Sequence, residues 1–173
     1  MNMPRMPELA REQLPEDKRH VWDEIVASRG FVRGPFSAMI HSPELAGRAA
    51  HLGAFVRFES SLDPQVRELA TLITARLMDC DYEYAAHARQ GRELGLRGAT
   101  LTALEQRRLD EAAEEDRWLV ELVQQIVLKH RVEEATYRSC EQRLGLNGLV
   151  ELVGTVGYYL LLAATLNTFE ISP

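Results

Sequence analysis

Between Pro15 and Phe169 the apolar residues recur every three or four positions, and no sustained run alternates. That period belongs to helices laid on a common core and leaves no strand from which to build a sheet. The chain is therefore expected to be all-α. Its 173 residues suit one domain with a sizeable core. Residues 1–14, with Pro4, Pro7 and mixed charge, read as an N-terminal arm, and 15–173 as a single helical bundle domain.

Start and stop signals divide the bundle. Pro15 suits a first helical turn, and Val21, Trp22, Ile25 and Val26 keep helical spacing up to Arg29-Gly30. A short helix is expected over Phe36–His41. Ser42-Pro43-Glu44 combines an N-cap serine, a proline at the first position and an acid in the first turn. That helix should run to about Phe58, with Leu45, Leu52, Phe55 and Val56 among its apolar positions. Asp63-Pro64 opens another, and Asp79 or Asp81 can cap a new helix that stops at Gly95. Further helices are expected at Ala99–Asp110, Glu115–Lys129 and Val132–Leu144, the last ending at Gly145 and followed by the turn Leu146-Asn147-Gly148. The final helix spans about Leu149–Phe169. A faint repeat relates Val66–Leu72 to Leu149–Thr155, with Ala163 in the place of Cys80 and Glu170 in that of His87.

A net charge of −6 with mixed acids and bases lacks the concentrated basic face that nucleic acid requires. The N-terminus has no apolar signal core. The most apolar run, Leu152–Leu166, is shorter than the roughly 20 residues of a spanning helix, so no membrane partner is expected. Cys80 and Cys140, the only thiols, suit a reducing cytoplasm without disulfides.

Chemistry concentrates in Arg67–Gly95. Glu83 and His87 are four apart and share a helical face, with Cys80 three before Glu83. Glu68 precedes them by most of a helix. In one straight helix Glu68 and His87 would lie roughly 28 Å apart, so they can share a site only if the chain turns back near Met78–Asp81. A helix N-terminus favours a Cys80 thiolate, whereas Asp79 and Asp81 oppose it. The sequence leaves the sign of the balance open.

Glu68, eleven residues, Cys80, two residues, Glu83, three residues and His87, with Tyr82-Glu83-Tyr84-Ala85-Ala86-His87 inside, resembles the signature of the carboxymuconolactone decarboxylase family. That family includes the alkylhydroperoxidase D branch, and the likeness is best over Ser42–Leu96. It implies the alkylhydroperoxidase D-like helical fold, homo-oligomers (trimers or hexamers) and no cofactor. Glu83 stands where the peroxidase branch has its second cysteine, so the branch without the Cys-x-x-Cys pair is implied. The activity this implies is decarboxylation of a small organic acid or lactone, with His87 as acid/base, Glu68 and Glu83 as its partners, and Cys80 lining the pocket. An imidazole is suited to the work because it changes charge near neutral pH. Tyr82 and Arg76 would contact substrate, and Arg57 and Arg89 are further candidates for a carboxylate clamp.

Two alternatives remain. Cys80 alone can reduce a hydroperoxide through a sulfenic acid resolved by an outside thiol. The domain can also be a non-catalytic assembly module, its last helix packing through Gly154, Gly157, Tyr158 and Tyr159. A metal is not expected. The Glu–His spacing is four rather than the three of di-iron bundles, there is one such pair, and His20, His41, His51 and His130 are isolated. No glycine-rich phosphate loop is present.

Overall fold

A computed structural model of the chain describes residues 4–173, so residues 1–3 of the expected arm lie outside it. Among the described residues there is no strand. Eight helices follow in order: α1 Arg19–Arg29, α2 Pro35–Met39, α3 Pro43–Ala54, α4 Pro64–Leu77, α5 Asp81–Glu93, α6 Gly98–Glu105, α7 Arg117–Gln124 and α8 Glu134–Thr168. The all-α expectation holds.

Helix α4 is the axis. Every residue from Glu68 to Ala75 is buried, which needs neighbours on all sides. Helices α5, α7 and α8 surround it, with α6 at one end. Asp63 starts it as expected, its Oδ1 accepting from the Gln65 amide at 2.8 Å. Two main apolar cores result, with a small third cluster around Cys80, Ala163 and Leu166. The larger holds Leu69, Leu72 and Ile73 of α4 against Leu104, Leu119, Leu122, Val123 and Leu152. The smaller holds Ile25, Phe36, Ile40 and Val56 against Tyr158, Tyr159 and Leu162. Helix α8 feeds both and so fixes the N-terminal helices to the α4 bundle.

The break between α4 and α5 is present. Asp79 takes φ 50°, which asparagine and aspartate tolerate better than most residues. Neither aspartate caps α5: Cys80 stands at the cap, and its carbonyl accepts from the Tyr84 amide at 3.2 Å. The aspartates instead meet Arg107. It pairs with Asp79, and its Nη2 lies 3.3 Å from Asp81. Arg107 thus clamps the turn from outside.

Several expectations need correction. Ser42 makes no side-chain cap bond at α3. Leu45 and Leu52 are 46% and 43% exposed, because α3 turns its small residues Ala46, Ala49 and Gly53 inward. Small residues let it lie close to α1, and Gly47 already meets Val21 there. The helix that begins at Glu134 does end at Gly145, as expected, but the turn expected over Leu146–Gly148 is absent. A single non-helical residue, Gly145 with φ 68° and ψ 169°, interrupts α8, and Leu146–Gly148 is already helical. The Leu152–Leu166 run is thus part of a longer helix, apolar and long enough to cross a membrane by composition, but with half of that window buried in the protein. The repeat stays at one helix each, since the break at Asp79 has no counterpart at Ala163, deep in α8.

Loop ends are tied down near the small core. The Arg5 amide donates to the Phe169 carbonyl at 3.0 Å, and its guanidinium pairs with Glu170. Glu151 accepts from the Ser61 amide at 2.7 Å and the Ser60 hydroxyl at 2.9 Å. This holds the wide π turn Phe55–Glu59, which carries Arg57, against α8.

Gly145 has open space around it, yet its backbone lies in a region reserved for glycine. Gly145→Ala should therefore cost about 1–3 kcal/mol through backbone strain alone. Urea denaturation would check this, and an unchanged midpoint would contradict it.

Candidate active site

The turn at Asp79 lays α5 back along α4 and brings Glu68 to His87. The His87 Nδ1 lies 2.8 Å from Glu68 Oε1. On the other side of the ring, Nε2 lies 3.5 Å from Glu83 Oε2, near enough for charge coupling but long for a hydrogen bond. Tyr159 of α8 meets the His87 ring edge-on at 5.1 Å, and Tyr158 meets Tyr159 likewise at 5.4 Å. The imidazole is thus held by two carboxyls and an aromatic edge, which fixes its plane.

Nε2 is the nitrogen turned away from Glu68. Where Glu68 is ionised, Nδ1 donates to it and Nε2 is left as the acceptor. A cavity of about 350 Å³ opens on this side, lined by Arg29, Arg57, Tyr82, Glu83, His87, Tyr158 and Tyr159 among others. Glu68 is behind the ring and off the cavity. At 3% exposure, it has His87 as its side-chain partner.

Burial sets the electrostatics. Glu83 is 4% exposed, and desolvation pushes its carboxyl above the ordinary range, with His87, Arg57 and Arg29 opposing in part. Tyr158 and Tyr159 are pushed up by the same desolvation, so both phenols stay neutral and act as hydrogen-bond groups.

Five of the expected residues share the site: Glu68, Glu83, His87, Tyr82 and Arg57. Tyr82 packs over Gly34, where an added Cβ would fall 2.8 Å from its hydroxyl. Cys80 does not line the cavity. It is 1% exposed and packs with Ala163 and Leu166, and burial pushes its thiol up. Projecting it onto the Glu83–His87 face assumed helical backbone at the cap, but Cys80 has φ −97° and ψ 88°. The open sign of its shift is therefore settled by desolvation, a quantity no spacing contains. Cys140 is buried in the larger core, and both thiols are free.

Arg76 is also off the cavity. Its guanidinium covers the Tyr84 ring at 3.2 Å, and Nη1 meets Asp81 at 3.0 Å. Arg89 is two residues beyond His87, about 200° around the helix, and faces Glu93 at 3.4 Å. Of the three arginine candidates only Arg57 reaches the site. Arg29 and the two tyrosines went unread as site residues. They come from α1 and α8, and no local spacing links them to α5. The Tyr158-Tyr159 pair, two phenols in an otherwise aliphatic run, is the one signal that was there to use. A metal at this site would draw on Glu68, Glu83 and His87, and Nδ1 of the histidine is already engaged with Glu68. Among the described residues no group of three such side chains is arranged to hold a metal ion.

Residues 43–125 match the model of the carboxymuconolactone decarboxylase family. The match runs from α3 to the residue after α7 and holds Arg57, Glu68, Cys80, Glu83 and His87, but neither Arg29 nor Tyr158 and Tyr159. Among solved structures the chain is similar to the alkylhydroperoxidase AhpD core of an uncharacterized peroxidase-related protein from Ralstonia eutropha JMP134. The TM-score is 0.78 at 18% identity, covering 100% of this chain and 93% of that one. An uncharacterized peroxidase-related protein from Silicibacter sp. TM1040 gives 0.75 at 16%, covering 100% and 95%. At these identities the likeness is one of fold, and the fold is alkylhydroperoxidase D-like. No curated protein matches the chain.

Because the folded state raises the Glu83 pKa, it favours the protonated carboxyl. That contribution is complete below the ordinary carboxyl pKa of about 4.3 and is lost as pH rises through the raised value. Glu83→Gln removes the titration. Its melting temperature relative to the natural protein should therefore climb from pH 4 towards pH 8 (a range of about four units above the ordinary carboxyl value). A difference that stays flat with pH would contradict the raised carboxyl.

Proposed function

We propose that the chain, whose residues 43–125 match the model of the carboxymuconolactone decarboxylase family, performs cofactor-independent acid–base chemistry, decarboxylation above all, on a small organic acid or lactone. The observation that carries this reading is His87, held at Nδ1 by Glu68 and presenting Nε2 to the cavity beside a buried Glu83.

Decarboxylation breaks a carbon–carbon bond and releases CO₂. The bonding electron pair stays on the substrate carbon, spread into an adjacent unsaturated carbonyl. A proton must then reach that carbon. Glu83, kept towards its neutral form by burial, hands a proton to Nε2, and Nε2 delivers it to the carbon. Glu68 stabilises the imidazolium formed in between and keeps the ring aimed. Water returns the proton to Glu83. Arg57 supplies positive charge for an anionic substrate at the cavity wall.

Peroxide reduction at Cys80 is the second reading, favoured by the peroxidase-related names of the two similar structures. A thiol buried at 1% and raised by burial is the opposite of the exposed thiolate which that chemistry uses. Homo-oligomers fit an uncovered apolar stripe on α8, where Val150 and Val153 are 62% and 45% exposed and Gly154 and Gly157 leave open space.

The test is CO₂ release from a panel of unsaturated lactone and keto acids. His87→Ala should lose about 10²–10⁴-fold in kcat, Glu68→Gln should lose on the order of 10²-fold by weakening the ring's support, and Cys80→Ser should stay within about twofold of the natural protein. Loss of activity in Cys80→Ser would transfer the site to thiol chemistry.

A further inference from the structure

On the reading of this cavity as a substrate site, we propose that Arg29 and Tyr158 together form a carboxylate seat in its wall, which selects small flat carboxylates with an aromatic or unsaturated body. Both side chains line the cavity. They converge on one spot. A Cβ added to Gly53 would collide with the Tyr158 hydroxyl and fall 2.6 Å from Arg29 Nη2. Glycine at position 53 is therefore what admits both polar ends.

The two ends lie against one another, the Arg29 guanidinium partly offsetting the desolvation of the Tyr158 phenol, and each keeps hydrogen-bonding capacity to spare. Among the described residues, the Tyr158 hydroxyl and Arg29 Nε are buried without a hydrogen-bond partner. Arg29 spends one contact on the Ala50 carbonyl, at 3.2 Å through Nη2, and its guanidinium lies over the Phe36 ring at 4.5 Å. It has no ion-pair partner among the described residues, although surface arginines elsewhere in the chain pair with carboxylates. Leaving a buried hydroxyl and a guanidinium donor unpaired is costly, and an incoming anion would satisfy both. Arginine with a phenol donor matches the two oxygens of a carboxylate in one plane.

The rest of the wall sets the body of the ligand. Phe31, Pro35, Phe36, Tyr159 and Leu162 give flat and apolar surface, and about 350 Å³ holds a single ring with its substituents. His87 Nε2 and Glu83 lie on the same cavity, so an acid seated at Arg29 keeps its ring or double bond within the site of proton transfer. Arg57, on the π turn, adds charge at the wall, whereas Arg29 and Tyr158 give direction. These two residues lie outside residues 43–125. Selection of the substrate is thus built by α1 and α8, and the proton chemistry by α4 and α5.

Benzoate and its neutral isostere benzamide are the probes, titrated calorimetrically into the full chain. Benzoate should bind at least about tenfold tighter than benzamide, the worth of a charge-assisted hydrogen bond. Arg29→Gln should erase that preference, and Tyr158→Phe should reduce it by about three- to tenfold with little change in benzamide binding. Tyr158→Phe keeps the ring and its packing, so it decides the matter if Arg29→Gln fails to fold. Equal binding of the two probes by the natural protein, or an unchanged preference in Tyr158→Phe, overturns the seat. The readout needs no turnover. A natural protein that prefers benzoate but releases no CO₂ from the acid panel would overturn the acid–base reading and leave the seat standing, so the two failures are separate results.

Discussion

A carboxylate that is 3% exposed must be paired, and Glu68 is paired with His87 across 2.8 Å. This contact ties two consecutive helices that would otherwise be one. It requires α4 to be buried around its whole circumference, the chain to reverse at Asp79, and α5 to lie with its 83–87 face towards α8. The supports for these conditions are local and identifiable: Asp63 starts α4, Asp79 takes the left-handed backbone, and Arg107 clamps both aspartates of the turn. The imidazole then has one nitrogen committed and one free. The proposed proton transfer rests on that asymmetry more than on the identity of any single residue.

The division of labour stems from the topology. The family-matching segment contributes the histidine, both glutamates and Arg57. The small core of α1, α2 and the end of α8 contributes the remaining wall. Helix α8 is shared by both cores, so the two halves of the site cannot move apart without losing packing around Tyr158, Tyr159 and Leu162. A cavity assembled in this way can keep its chemistry while its walls change.

Much of this was legible in the sequence. Helical spacing and the proline starts at Pro43 and Pro64 predict the helices, and the need to bring Glu68 to His87 predicts the reversal near Asp79. Local rules failed where the local backbone was not what they assumed. Cys80 projects onto the Glu83–His87 face only if it is helical, and as a cap residue it points into a separate apolar cluster. Leu45 and Leu52 are large apolar positions of α3, but that helix packs through its small residues. The break at Gly145 is legible, but the turn expected after it does not form, because Leu146–Gly148 resumes helical backbone at once. Arg29 and Tyr158 could not be joined by any spacing, since only the packing of α1 and α8 around Gly53 brings them together.

The position of the proton on the His87 ring decides whether Nε2 is free to act. Nitrogen-15 NMR of histidine-labelled protein, at a pH where the ring is neutral, distinguishes the two tautomers. The proton is expected on Nδ1, donated to Glu68, with Nε2 bare towards the cavity. A proton found on Nε2 would mean that Glu68 does not accept from the ring, and it would remove the acceptor through which Glu83 is proposed to act.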